Sequence, residues 1–400
     1  MRDALGLGQP WGKNMREDAA SIAARYRFPD PVYVTRPYLP SLPEYHVLLE
    51  EIWQRRWLTN AGVMHEQLER RLAEYLGVEH LSLFCNGTIA LVVALHALDI
   101  HEGEVITTPF SFPATTHVLY WNRLTPVFSD IDPLTCNLDP AGIEAKITPQ
   151  TKAIMPVHVY GTPCDTAAIE AIAKRHNLPV IYDAAHAFGV QHEGRSAAAH
   201  GDLSVLSFHA TKVFTTVEGG AVISSTAEQK RQVDLLKNFG FSGEDQVASP
   251  GINGKLNELQ AAFGLLCLEK VDEDLGRRRA VASRYRERLV AMPGLSLLPQ
   301  PARASSNGAY VPLRVCAEGY GLSRDELHAA LRQANVISRR YFYPLCSRFE
   351  FYQHLESARP ENLPEAERAS REMLCLPIYG DLPLEQVDQI CDLILALAKA

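Results

Sequence analysis

Two residues of this chain stand where a linked piece of chemistry would need them. Lys212 closes the run SFHATK (207–212), which follows an apolar strand pattern and precedes the glycine pair Gly219–Gly220. A lysine just past the end of a buried strand can be held in a cleft. Desolvation there lowers its pKa and frees the amine as a nucleophile toward an aldehyde. Asp183 lies 29 residues earlier, at the end of the apolar strand in LPVIYDAAHAFG. Ligands of open α/β sheets bind just outside the carboxyl ends of strands. A carboxylate in that place can pair with a pyridine nitrogen and keep it protonated, which makes the ring an electron sink, the need of pyridoxal phosphate chemistry. Taken singly, Lys212 reads as a surface lysine, and Asp183 is about evenly a cap on a following helix AAHAFG. Taken together, they favour the cofactor.

Further residues fit the same ligand. Gly87 and Thr88 follow HLSLFCN at the start of a helix, where free N–H groups and the helix dipole bind a phosphate. Thr88 adds a hydroxyl, and Ser207 can donate another, although a strand-end hydrogen bond is its plain role. Phe112, in TTPFSFPATTH, can lie flat on a pyridine ring, with core packing an equal reading. His186 and His209 flank the site. A satisfied structural histidine is the default for each.

These residues must be carried by a scaffold, and the pattern supplies one. From about residue 64, helical and strand patterns alternate. MHEQLERRLAEYLG is helical and ends at Gly77; HLSLFC, EVITT, TPVFSD, KAIMPV, LPVIYDA, LSVLSF and GGAVISS read as strands. TIALVVALHAL and DTAAIEAIAKRHN are helices between them. Such alternation predicts a mostly parallel central sheet covered on both faces. Beyond about residue 275 a long helix (GRRRAVASRYRERLVAM), a short strand (AYVPLRV) and two more helices predict a smaller C-terminal α+β domain. PGLSLLPQPARASSNG reads as a domain-edge loop. The expected division is an extension over 1–30, loosely held, a large cofactor domain over 31–275 and a small domain over 276–400.

Bulk properties narrow the function classes. A 400-residue chain with 46% hydrophobic residues can bury a large core. A net charge of −8 argues against a general grip on nucleic acid. The eight cysteines are scattered without a C-x-x-C pair, so no metal site is expected, and free thiols suit a reducing cytoplasm. No apolar run is long enough to span a bilayer, which needs about 18 residues. The N-terminus has no apolar signal region. An NAD-dependent dehydrogenase is disfavoured because no G-x-G-x-x-G follows a strand. A cofactor-sensing regulator would need a DNA-binding module that neither the charge nor the N-terminal thirty residues supply.

The ordered set WLTNAG (57–62), NGTIAL (86–91), FSFPAT, PVFSDID (126–132), PVHVYGTPCD (156–165), DAAHAFG (183–189), SFHATKVFTTVEGGA (207–221), GINGKLNELQAAFG (251–264) and LPIYGDL (376–382) resembles the DegT/DnrJ/EryC1/StrS sugar aminotransferases. The resemblance covers nearly the whole chain after the extension. It implies the pyridoxal-phosphate-dependent transferase fold type I, like aspartate aminotransferase. It implies that Lys212 binds the cofactor covalently, that Asp183 meets the pyridine nitrogen, and that His186 stands beside the ring. Gly87, Thr88 and Ser207 would bind the phosphate. Asn253 would reach the phosphate of the neighbouring subunit, since members are homodimers with shared sites. The wording of NGT and FSFPAT is closest to members that aminate C4 of a dTDP-4-keto-6-deoxyhexose, with L-glutamate as donor. Amination at C3 is the alternative. Sugar dehydrases of the same fold carry His where Lys212 stands, so lysine here argues for amino transfer.

Overall fold

The computed structural model describes residues 18–299 and 303–398. Each of the seven strand patterns forms a strand: β1 (Leu81–Phe84), β2 (Gly103–Thr107), β3 (Leu124–Phe128), β4 (Thr151–Met155), β5 (Ile181–Asp183), β6 (Leu203–Ser207) and β7 (Gly220–Ser224). Pairing orders them β1–β7–β6–β5 and β4–β2–β3, and parallel bridges Ile154–Val180 and Val157–Asp183 join the two groups into one sheet. The pairs β2–β3, β2–β4 and β5–β6 are parallel, whereas β7 runs antiparallel to both β1 and β6. The sheet is thus mostly parallel, as the alternation predicts, with one reversed strand.

That reversal matters for function. The parallel strands leave the sheet at one edge, and β7 enters from the same edge. Gly220, its first residue, pairs with Phe84 at the end of β1 and with Ser207 at the end of β6. Strand ends from distant parts of the chain therefore meet along one rim. The strands β1, β6 and β7 are buried on both faces, as covering helices require.

The helix Val63–Leu76 ends at Gly77 in the left-handed conformation, φ 65°, which glycine adopts without a Cβ penalty. The helix Leu42–Arg55 precedes it and lies outside the alternation read from residue 64. The long helix Val271–Leu289 joins two cores. Val271 and Leu275 pack with the large sheet, while Val281, Tyr285 and Leu289 pack in the C-terminal core. It is buried along one face. The C-terminal core carries a three-stranded antiparallel sheet of Leu295–Leu297, Val311–Val315 and Met373–Leu376. Its first strand falls in the stretch read as a domain-edge loop, where Leu295 is buried and Ser296 exposed.

The loosely held extension needs correction from residue 18 onward; residues 1–17 lie outside the described residues. The helix Ala19–Arg25 is capped by Asp18, whose Oδ1 accepts from Ser21 N–H at 2.8 Å. Ile22, Ala23 and Phe28 insert into the C-terminal core beside Leu327 and Ala330. Val32–Tyr33 then pairs in parallel with Val336–Ile337. Only two apolar positions of this short helix are buried, too few for a periodic signal, yet the core they enter is large.

Candidate active site

The site is built at the rim where the strands end. Asp183 is the last residue of β5 and is 5% exposed. No helix follows it; the chain turns, and Asp183 Oδ1 accepts from Ala185 N–H at 3.1 Å. Its Oδ2 accepts from Thr115 Oγ1 at 2.7 Å. Burial pushes this carboxyl above its usual range, opposed first by the Thr115 hydroxyl, then by the Ala185 amide and the Lys212 charge. Lys212 stands in the loop after β6, its N–H bonded to His209 O. Burial of its amine lowers the pKa to about 8, and the Asp183 carboxylate resists that fall. A lysine of lowered pKa under the influence of a buried carboxylate at strand ends is an arrangement typical of working sites.

His186 is 5% exposed and completes the wall on this side. Its Nδ1 accepts from Tyr160 N–H at 3.3 Å, which leaves the ring proton on Nε2. Burial holds it well below the ordinary histidine range, and the charges of Lys212 and His158 add to this, so the imidazole is neutral at working pH. The ring is parallel to Phe342 (6° between planes, centroids 5.9 Å apart) and edge-on to Tyr310 at 4.9 Å. Asn307 Nδ2 donates to the carbonyls of His186 and Phe188 at 2.8 and 2.9 Å, fixing the turn that carries the histidine.

The other end of the site is made of backbone. Gly87 and Thr88 open the helix Gly87–Ala97, capped by Asn86, whose Oδ1 accepts from Ile89 N–H at 2.8 Å. The first N–H groups of a helix have no carbonyl a turn earlier to bond. Packing here admits no side chains. A Cβ on Gly87 would lie 3.1 Å from Ser207 Cβ, and one on Gly220 would lie 2.8 Å from Gly87 N. Gly87, Ser207 and Gly220 thus form a cradle that fits a phosphate. With a buried acid for a ring nitrogen and an amine for an aldehyde, the residues present fit pyridoxal phosphate.

Phe112 and Asn253 are placed less completely. Phe112 caps the helix Pro113–Trp121 without a side-chain bond and is 57% exposed, three residues before Thr115. Asn253 is exposed, bridged to Asn238, and its neighbour Gly254 accepts from Cys85 N–H at 2.8 Å. His209 sits on the outer side, with Nδ1 2.8 Å from Thr211 Oγ1 and Nε2 3.6 Å from Glu218. Glu258 anchors the segment WLTNAG by donating its N–H to Leu58 O at 3.0 Å, and its buried carboxylate accepts from Met64 and His65 N–H, just after the segment, at 3.0 and 2.8 Å. Motif reading does not single out Thr115, Tyr160, Asn307, Tyr310 or Phe342. Thr115 lies inside the quoted FSFPAT, but its partner is 68 residues away.

The chain is similar to known proteins over most of its length. The chain is 50% identical over 360 residues to a dTDP-4-amino-4,6-dideoxy-D-glucose transaminase of Shigella dysenteriae, covering 90% of this chain and 97% of the relative. It is 47% identical over 365 residues to an Escherichia coli protein of the same name, with the same coverage. The crystal structure of DesI in the presence of its TDP-sugar product superposes with a TM-score of 0.88 at 35% identity, covering 93% of this chain and 94% of that one. Helicobacter pylori PseC, an aminotransferase of pseudoaminic acid biosynthesis, gives 0.84 at 28% identity, with coverage of 92% and 98%. The profile of the DegT/DnrJ/EryC1/StrS aminotransferase family matches residues 43–395, and this chain belongs to that family.

Proposed function

We propose that the protein transfers an amino group from L-glutamate to C4 of dTDP-4-keto-6-deoxyglucose, giving dTDP-4-amino-4,6-dideoxyglucose, with pyridoxal phosphate as cofactor. The observation that carries this is half-buried Lys212 and buried Asp183, whose charges act on each other, beside the Gly87–Ser207–Gly220 cradle. The choice of sugar is supported by the relatives at 50% and 47% identity. When bound, the cofactor supplies an aldehyde carbon to carry the amino group and a ring to take up electrons. Lys212 Nζ, more readily deprotonated than an ordinary lysine because its pKa is lowered to about 8, takes the α-proton of glutamate in one half-reaction. In the other it delivers a proton to the sugar carbon. Asp183 holds a proton on the ring nitrogen, neutral His186 stands beside the ring without adding charge, and the aromatic wall excludes water.

The same reading makes the active unit a homodimer in the cytoplasm, with exposed Asn253 reaching the phosphate of the other subunit. Residues 31–275 act as the cofactor domain and 276–400 as the small domain, a division supported by the change of core along Val271–Leu289. The test is product analysis from dTDP-4-keto-6-deoxyglucose and L-glutamate. Mass spectrometry should show the amino sugar, NMR should place nitrogen at C4, and initial rates should give parallel double-reciprocal lines. Nitrogen at C3, or intersecting lines, would overturn the reading.

A further inference from the structure

Asp183 has a protein donor on each carboxylate oxygen, and one of them comes from outside its own loop. Thr115 Oγ1 donates to Oδ2 at 2.7 Å, and Ala185 N–H donates to Oδ1. A threonine hydroxyl has one hydrogen, and here it is committed to Asp183. Ser111 Oγ lies 2.7 Å from Thr115 Oγ1, so in that contact Ser111 must be the donor. The bonds therefore run in one direction, from Ser111 to Thr115 to Asp183. Thr115 is 0% and Ser111 3% exposed, so water does not compete for these groups. Ser111 is anchored in turn, because its carbonyl accepts the Cys346 thiol at 3.3 Å. With a donor on each carboxylate oxygen, the chain of hydroxyls favours the ionised form of Asp183, and each bond polarises the next.

We propose that Thr115, backed by Ser111, is a positioning residue that keeps Asp183 ionised and turned toward the ring nitrogen of the cofactor. Burial works against an ionised acid at this place, and the Thr115 hydroxyl is the foremost group opposing it. Thr115 N–H also bonds Phe112 O at 3.2 Å, so the same turn that carries Phe112 is tied to Asp183. The inference rests on the cofactor reading given under the proposed function.

The test uses the holoenzyme loaded with pyridoxal phosphate labelled with nitrogen-15 in the ring, whose chemical shift is followed against pH. In the unaltered protein the ring nitrogen stays protonated through neutral pH. Thr115→Val keeps the shape and removes the donor. Its deprotonation midpoint should fall by about one pH unit or more, with turnover down about tenfold and KM little changed. Thr115→Ser should restore both values, which a packing role for the methyl group would not allow. Ser111→Ala should move the midpoint in the same direction by a smaller amount. A Thr115→Val midpoint equal to that of the unaltered protein overturns the inference. So does a Thr115→Ser variant that behaves like Thr115→Val. If Thr115→Val fails to fold, an unmoved midpoint in folded Ser111→Ala overturns it. An unprotonated ring nitrogen in the unaltered holoenzyme overturns instead the cofactor reading on which the inference stands.

Discussion

The two ends of the site are built on opposite principles. At the ring end, Asp183, Thr115 and His186 are nearly water-free, and Asp183 and His186 each accept from a group far away in the chain, Thr115 Oγ1 and Tyr160 N–H. At the phosphate end, Thr88 is exposed and the binding groups are the N–H groups of a helix start, exposed by glycines. The first end adjusts protonation, because charge in a desolvated place responds strongly to its neighbours. In the proposed reading the second end supplies affinity, because backbone donors and a helix dipole need no titration to hold an anion. Substitutions should separate the two roles.

The largest effect is expected from Lys212→Ala. Turnover should fall by about 10³-fold or more, since the amine serves as anchor and as proton carrier. Cofactor should still bind through the cradle and Asp183, giving a protein that absorbs as a non-covalent complex. Borohydride treatment of the unaltered enzyme should fix the label on Lys212, and a label on another lysine would remove the basis of the comparison.

Next is Asp183→Asn, which keeps the shape but removes the charge. Turnover should fall about 100-fold, the scale for losing one group that stabilises developing charge. The same change should alter Lys212 in the cofactor-free protein. There the pH at which Lys212 becomes reactive toward an amine reagent should lie near 8. Because the carboxylate raises that value, its removal should lower the midpoint further. A midpoint that stays or rises would show that the two groups do not sense each other.

Gly220→Ala tests the phosphate end. Its Cβ would fall 2.8 Å from Gly87 N and from the Asn86 carbonyl carbon, both backbone atoms, so the helix start must move. Cofactor retention should weaken about tenfold, which corresponds to about 1.4 kcal/mol, while turnover at saturating cofactor stays near normal. A loss of turnover without a loss of retention would contradict the division of roles. The smallest effect is expected for Asn253→Ala, an exposed residue contributing one hydrogen bond. Cofactor retention should weaken about threefold or more, within the worth of a single hydrogen bond, with the fold intact by circular dichroism. A structure of the dimer showing Asn253 remote from both phosphate sites would remove it from the site.

Much of this architecture is legible along the chain. Seven apolar runs bounded by turn residues mark the seven strands, since fully buried strands require continuous apolar sequence. Lys212 and Asp183 stand out because each follows such a run, and strand ends in open α/β sheets are where ligands bind. Gly77 marks a helix end because glycine takes φ 65° without a Cβ penalty. Three features depend on contacts between distant segments and have no local signature. β7 has the same apolar pattern as its neighbours, and its reversed direction follows from how the chain returns to the rim. The His186–Tyr310–Phe342 wall joins residues far apart in the chain, and ordinary aromatic positions give no hint of the meeting. Thr115 reads as one more polar residue in a helix start until the sheet brings Asp183 within 2.7 Å of its hydroxyl. Sequence alone determined which groups could act and which strands would carry them, because periodicity and strand-end position are local properties. Tertiary structure decided which protonation states those groups hold, because pKa depends on burial and on neighbours that only the packed sheet brings together.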